Sequence, residues 1–419
     1  MDTIFAEATP PGRGGVSVVR VSGPEARAVL ESLAGVVSAP RVAHVRALRD
    51  GDDLIDRALV IRFDENHSFT GENVAEFHLH GAPVIANRLV QALLARGARR
   101  AEAGEFTRRA FLNGRINLAE AEGFADLLSA ETEAQRKLAI RNAEGELGQI
   151  VDGLRTGLIR AGALIEASID FADEEVPEDV PAEVFDITSK ISDEIARLLA
   201  SFPATERLRE GYEVAIIGKP NSGKSTLLNQ IAKREVALVS DIAGTTRDVL
   251  ELRTDLRGLP VTFLDTAGLR DSADKVEMMG VERARQRAKS ADLRIHLSEQ
   301  GVAEERVRPG DLTVRSKADL RQGTDLSISA KTGEGVAELL DMVYDVLRQR
   351  AADSGLVAHK RQAEALERAR LALQFEEDMA PEFLAERLRQ ANQALEMMIG
   401  RIEAENYLDE IFLSFCIGK

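Results

Sequence analysis

The chain has 419 residues, 44% hydrophobic and 30% charged. That balance excludes a wholly disordered protein and, at ~150 residues per domain, predicts two or three domains. Its 54 Lys and Arg stand against 70 Asp and Glu, a net charge of -16, which excludes a uniformly basic surface built to grip nucleic acid or anionic membrane.

Over 1–115 the β-like runs 16–21, 59–63 and 74–79 are punctuated by the turn signals PPGRGG (10–15) and FTGEN (69–73), which predicts a mixed α/β domain. His78 and His80 alternate on one strand, and with no third ligand apparent they read as ordinary strand histidines. Arg99 and Arg100 read as surface charge ahead of an RNA contact. From Leu118 the apolar residues Leu118, Ala121, Ala125 and Leu128 recur at helical spacing, and helical character runs on to about Ile169. The acidic DEEVPED (173–179) reads as a solvated loop.

Residues 211–350 alternate apolar strands, EVAIIG (213–218) and VTFLDTAG (261–268), with helical segments, the pattern of a parallel sheet. Beyond Ser354 helices return, with Leu388, Ala391, Leu395, Met398 and Ile402 on one stripe that predicts a buried face. The economical architecture is a helical domain made of two chain segments with an α/β domain inserted between them. The single cysteine, Cys416, excludes an intramolecular disulfide framework. No run approaches the ~18 apolar residues of a membrane helix, and the start of the chain lacks a secretory-signal pattern. The expectation is a cytoplasmic protein with no membrane partner.

GKPNSGKS (218–225) matches G-x-x-x-x-G-K-[ST] and sits between a strand and a helix, as a phosphate loop requires. Asn221, Ser222, Gly223, Lys224, Ser225 and Thr226 would cradle the phosphates, with Lys224 neutralising β/γ charge and Ser225 holding Mg²⁺. Asp265, Thr266, Ala267 and Gly268 end the second strand, where Asp265 would reach Mg²⁺ through water and the Gly268 N–H would face the γ-phosphate. Within GTTRD (244–248), Thr246 is the natural switch-loop Mg²⁺ ligand. Guanine selection rests on Ser316, Lys317 and Asp319 of SKAD, because an aspartate there accepts both guanine N–H donors. Ser329, Ala330 and Lys331 fit the loop that supports the guanine O6. Ser316 stands where related patterns carry Asn, a loss of about one hydrogen bond, on the order of 1 kcal/mol. The interval from Asp265 to Ser316 is also compressed.

ATPPGRGG (8–15), SFTGE (68–72), GEFTRRAFLNGR (104–115), DFADEE (170–175), DIAGTTRD (241–248), DTAGLRD (265–271) and the terminal FCIGK (415–419) together resemble the tRNA-modification GTPase family MnmE (TrmE) over nearly the whole chain. The resemblance implies an α+β folate-binding and dimerisation domain over 1–115. It implies a helical domain in two segments, 116–208 and 351–419, and a P-loop GTPase domain over 209–350. It implies a homodimer that acts on tRNA with an MnmG-type FAD protein in a heterotetramer, FAD residing only on the partner. The reaction implied installs a C5 aminomethyl-type group on the wobble uridine, with a tetrahydrofolate derivative as one-carbon donor.

The resemblance also implies site roles. Asn221, Ser240, Ile242 and Thr245 match a K⁺ site, and the loop through Asp241, Ala243 and Gly244 to Thr246 closes on the nucleotide. Glu277 matches the glutamate that organises the attacking water, the place after DTAG where many GTPases carry glutamine being Leu269 here. Arg20, Glu76, Arg115 and Lys419 occupy the folate contact positions, and Cys416 would line that pocket as a candidate reactive thiol. Two other readings are a GTP-switched RNA-binding assembly factor, which leaves 1–115 and FCIGK unexplained, and a nucleotide-controlled scaffold without chemistry of its own.

Overall fold

A computed structural model describes residues 2–170, 180–237, 251–265, 286–303, 306–320, 326–376 and 379–400. The chain divides into two compact units, one built on Met1–Ala125 and joined by the chain from Leu395, the other Asp126–Ala394.

The first unit carries β1 (Ile4–Glu7), β2 (Val16–Ser22), α1 (Ala26–Ala34), β3 (His44–Asp50), β4 (Asp53–Phe63), β5 (Val74–His80), α2 (Pro83–Leu94), β6 (Arg99–Arg100) and α3 (Glu105–Leu112). Its six strands run in the order β3-β4-β5-β2-β1-β6, antiparallel except for the β1–β6 pair. Alternation along β5 decides the two faces. Ala75, Phe77 and Leu79 join Val29, Leu30 and Leu33 of α1 and Leu89, Val90 and Leu93 of α2 in one core. Each fully buried side chain of this size contributes about 1.5–3 kcal/mol. Glu76, His78 and His80 therefore point to the opposite face, where Phe106 of α3 packs with Ile4 and Ala6. The 59–63 run is only the end of an eleven-residue strand.

A buried arginine ties this unit together. Arg109 on α3 donates to the Asp2 carbonyl at 2.7 Å, to both Glu72 oxygens at 3.1 Å and to Glu105 at 2.9 Å. Ser22 Oγ donates to the same Glu72 at 2.7 Å and meets Thr70 at 2.8 Å. The SFTGE and GEFTRRAF motifs are thus two halves of one charged bracket. Hydrogen bonding from Arg99 holds the Asp2 carboxyl down at about 2.

Next along the chain come α4 (Leu118–Ser129), α5 (Glu133–Ala143), α6 (Glu146–Asp170) and α7 (Ala182–Glu210). Gly157 lets α6 and α7 close up, since a Cβ there would lie 2.9 Å from Ile191 Cδ1. DEEVPED lies outside the described residues. A second sheet follows, with β7 (Tyr212–Ile217), α8 (Lys224–Arg234), β8 (Val236–Ala237), β9 (Glu251–Leu256), β10 (Leu259–Asp265), β11 (Leu293–Ser298), β12 (Leu312–Arg315) and α9 (Val336–Ala351). The helices α10 (Lys360–Ala372) and α11 (Pro381–Ile399) end the described chain. On α11 Leu388, Ala391, Leu395 and Met398 are buried as the stripe predicts, while Ile402 lies outside the described residues.

The second sheet has the order β12-β11-β7-β10-β9-β8, with β12, β11, β7 and β10 mutually parallel. The order reverses at β7, so the crevice for a ligand opens at its carboxyl end. One face is apolar and covered by α8 and α9. On the other, β11 places Arg294 and His296, and Asp311 answers them at 3.1 and 3.2 Å. The β11–β12 connection, residues 299–311, carries no helix among its described residues.

The chain enters and leaves this sheet side by side. Arg209 Nε donates to Ala358 O at 2.9 Å, Gly355 N to Thr205 Oγ1 at 2.7 Å, and Asn142 Nδ2 to Leu356 O at 3.1 Å. These bonds join helices on both sides of the insertion, as an α/β domain inserted in a discontinuous helical domain requires.

Candidate nucleotide-binding and folate sites

β7 is buried on both faces and stops at Ile217 because the chain must turn tightly there. Only glycine fits at 218, since a Cβ would lie 2.2 Å from Leu297 O. Asn221 at φ 66 and Gly223 at φ 102 complete the reversal, and α8 starts at Lys224. The first turn of α8 points its N–H groups and the positive end of the helix dipole at the loop, a natural anion cradle.

The side chains fit that use. Lys224 is 4% exposed and arches back over the loop, donating to Gly218 O at 2.6 Å and Lys219 O at 2.8 Å. The Ser222 hydroxyl is buried with no hydrogen-bond partner among the described residues. A buried hydroxyl without a partner costs about 1–3 kcal/mol, and a phosphate oxygen would relieve it. Ser225 Oγ donates to Asp265 Oδ2 at 2.5 Å, placed there by the register of Asp265 beside Ile216. Two hard oxygens side by side suit Mg²⁺. Thr226 follows on the exposed side of α8.

The other end of the crevice holds SKAD and SAK together. Lys317 adopts φ 62 and pairs with Glu299. Ala318 N donates to Ile328 O at 3.0 Å, and Ser329 Oγ donates to Asp319 Oδ1 at 2.7 Å. The Ser329 hydroxyl also accepts from Thr332 N at 3.2 Å, so the Ser329 side chain is held in place to steer Asp319. Ala330 is half-buried and Lys331 exposed beside it. The Ser316 hydroxyl is buried and without a partner among the described residues. Ser240, Asp241, Ile242, Ala243, Gly244, Thr245, Thr246, Thr266, Ala267, Gly268 and Glu277 lie outside the described residues.

In the first unit, strand register sets Arg20 of β2 opposite Glu76 of β5, and Arg20 Nε donates to Glu76 Oε1 at 3.0 Å. The Arg20 guanidinium lies 5.9 Å from the Phe106 ring centroid, a cation–π distance. Arg115 is exposed, and its side-chain stem lies 3.2 Å from where a Gly71 Cβ would sit. A carboxylate and a guanidinium on one half-open face suit a ligand with paired N–H donors and acidic groups, as a folate has. Cys416 and Lys419 lie outside the described residues. His78 and His80 each pair with a carboxylate, Glu76 at 3.2 Å and Asp56 at 2.8 Å.

Comparison with known proteins gives two family matches. The family described as "GTP-binding protein TrmE N-terminus" matches residues 3–115, and the "MnmE helical domain" matches 118–416. A "tRNA modification GTPase MnmE" of Paracoccus denitrificans is 75% identical over 419 residues, covering 100% of both chains. The protein of that name from Roseobacter denitrificans is 51% identical over 431 aligned positions, again covering 100% of each. Among solved structures, the G domain of the T. maritima FeoB iron transporter matches 32% of this chain and 98% of its own, at 21% identity and a TM-score of 0.24, too distant a likeness to bear on function.

Proposed function

The chain belongs to the MnmE family of tRNA-modification GTPases, and from that premise we propose a potassium-stimulated GTP hydrolase that modifies the wobble uridine of tRNA with a flavoprotein partner and a reduced folate. GTP hydrolysis in tRNA modification is the family's activity. No helix among the described residues is long and apolar enough to cross a membrane.

The observation that carries the reading is the prepared phosphate loop, with Lys224 folded over it. The phosphate loop, with Lys224 folded over it and Ser225 against Asp265, supports binding of GTP with Mg²⁺. Lys224 would swing from the loop carbonyls to the β/γ-phosphates, and Ser225 with Thr246 would hold Mg²⁺. Bound Mg²⁺ neutralises charge on the phosphate oxygens. Asp319, steered by Ser329, would read the guanine edge. Asn221, with Ser240, Ile242 and Thr245, would hold K⁺, and Glu277 would orient the attacking water in place of the missing glutamine. A fixed cation beside the phosphates supplies the electrostatic stabilisation of an arginine finger.

Arg20, Glu76, Arg115 and Lys419 would bind the folate, which supplies the one-carbon unit for the C5 aminomethyl-type group. Cys416 would line its pocket. Residues 1–115 would also form the homodimer, and FAD would come with an MnmG-type partner.

The test is calorimetry of the full chain with a reduced folate. Binding is expected, with Glu76→Ala weakening it about 100-fold, the scale of truncating one side of a charged hydrogen-bonded contact. No heat with the unmodified chain overturns the folate reading.

A further inference from the structure

We propose that His78 is a positioning residue of the folate site, holding the Glu76 carboxylate in the plane that a pterin edge must meet. The inference rests on the folate reading and names a residue outside the four assigned to it.

Glu76 and His78 stand two residues apart on β5 and share its non-core face. The carboxylate is gripped at both oxygens. Arg20 Nε donates to Oε1 at 3.0 Å, and His78 Nε2 lies 3.2 Å from Oε2. The three side chains retain 25%, 16% and 29% exposure for Arg20, Glu76 and His78, so the group is sheltered yet open to a ligand on one side.

A carboxylate offers about two lone-pair directions per oxygen. One on each oxygen is spent on Arg20 and His78, which leaves one on each for two neighbouring N–H donors. The terminal torsion of a glutamate is broad. A single grip by Arg20 leaves that torsion free, whereas a second grip on the other oxygen fixes the plane. Arg20 is itself placed against Phe106, so the frame is anchored from the helix side as well. The role requires the Nε2–H of His78. It differs from that of His80, whose Nδ1 turns away to Asp56.

The experiment is calorimetric titration of the full chain with 5-formyltetrahydrofolate. His78→Leu and His78→Ala are expected to weaken binding about tenfold or more, as losing a hydrogen bond to a charged group does. His78→Gln keeps a side-chain donor and is expected to stay within about threefold of the unmodified chain. In a Glu76→Gln background, His78→Ala is expected to add less than about twofold, since groups acting through one another are not additive. Circular dichroism melts establish that each variant is folded, and the alanine variant serves if leucine does not fold. Unaltered binding in a folded His78→Ala protein overturns the role alone, as does an undiminished loss in the Glu76→Gln background. Absence of binding by the unmodified chain overturns the folate reading and this role with it.

Discussion

GTP turnover is expected to run about 100-fold or more faster in potassium than in sodium at equal ionic strength, the scale of removing one fixed charge-stabilising group from a transition state. The reasoning starts from Leu269, a side chain that neither orients water nor shares charge. The work falls to other groups, and Asn221, at φ 66 in the phosphate loop, is the described member of the proposed cation set. Sodium is smaller and fits a ring of oxygens shaped for potassium poorly. Asn221→Ala is therefore expected to make the two salts equivalent at the slow rate while GTP still binds through Lys224 and the backbone. Steady-state phosphate release in the two salts checks this, and equal rates for the unmodified chain would defeat the potassium mechanism.

The second large effect concerns stability. Arg109 is buried and serves Asp2, Glu72 and Glu105 at once. Arg109→Met keeps the volume of the stem but leaves Glu72 without its cation, while Glu105 keeps only its pair with Arg99. Breaking a buried ion pair from one side costs about 3–5 kcal/mol. For a unit of this size that lowers the melting temperature by roughly 10 °C or more. Scanning calorimetry should show the transition of the N-terminal unit move while that of the 126–394 unit stays. Adding Glu72→Gln should recover part of the loss, because the uncompensated charge causes most of it. An unshifted N-terminal transition would show that the bracket contributes little.

Both cases show where the sequence is readable. The phosphate loop is local: eight consecutive residues carry the glycines, the lysine and the serine, and the strand and helix beside them are apolar enough to recognise. The helical stripe on α11 is legible for the same reason, since Leu388, Ala391 and Leu395 repeat at the helix period. What escapes is set by strand register and by charge inside cores. β11 reads LRIHLS, and its Arg294 and His296 look solvent-bound until Asp311 from the next connection is seen to meet them. β3, HVRALRD, is an edge strand with an ambiguous pattern. The Glu72–Arg109 contact joins residues 37 positions apart, and the Arg20–Glu76 pair joins residues 56 apart. Neither spacing has a signature along the chain. SFTGE and GEFTRRAF carry the resemblance, but that they form one bracket follows only from the packing of α3 against the sheet.

In the proposed function, GTP hydrolysis by this chain drives modification of tRNA at the wobble uridine. Mass spectrometry of tRNA nucleosides from cells lacking the chain tests it most directly. The C5 aminomethyl-type wobble uridine is expected to disappear, to return when the unmodified chain is supplied, and not to return with Lys224→Ala, whose phosphate loop has lost its cation. Wobble uridines that keep their full modification without the chain would contradict it.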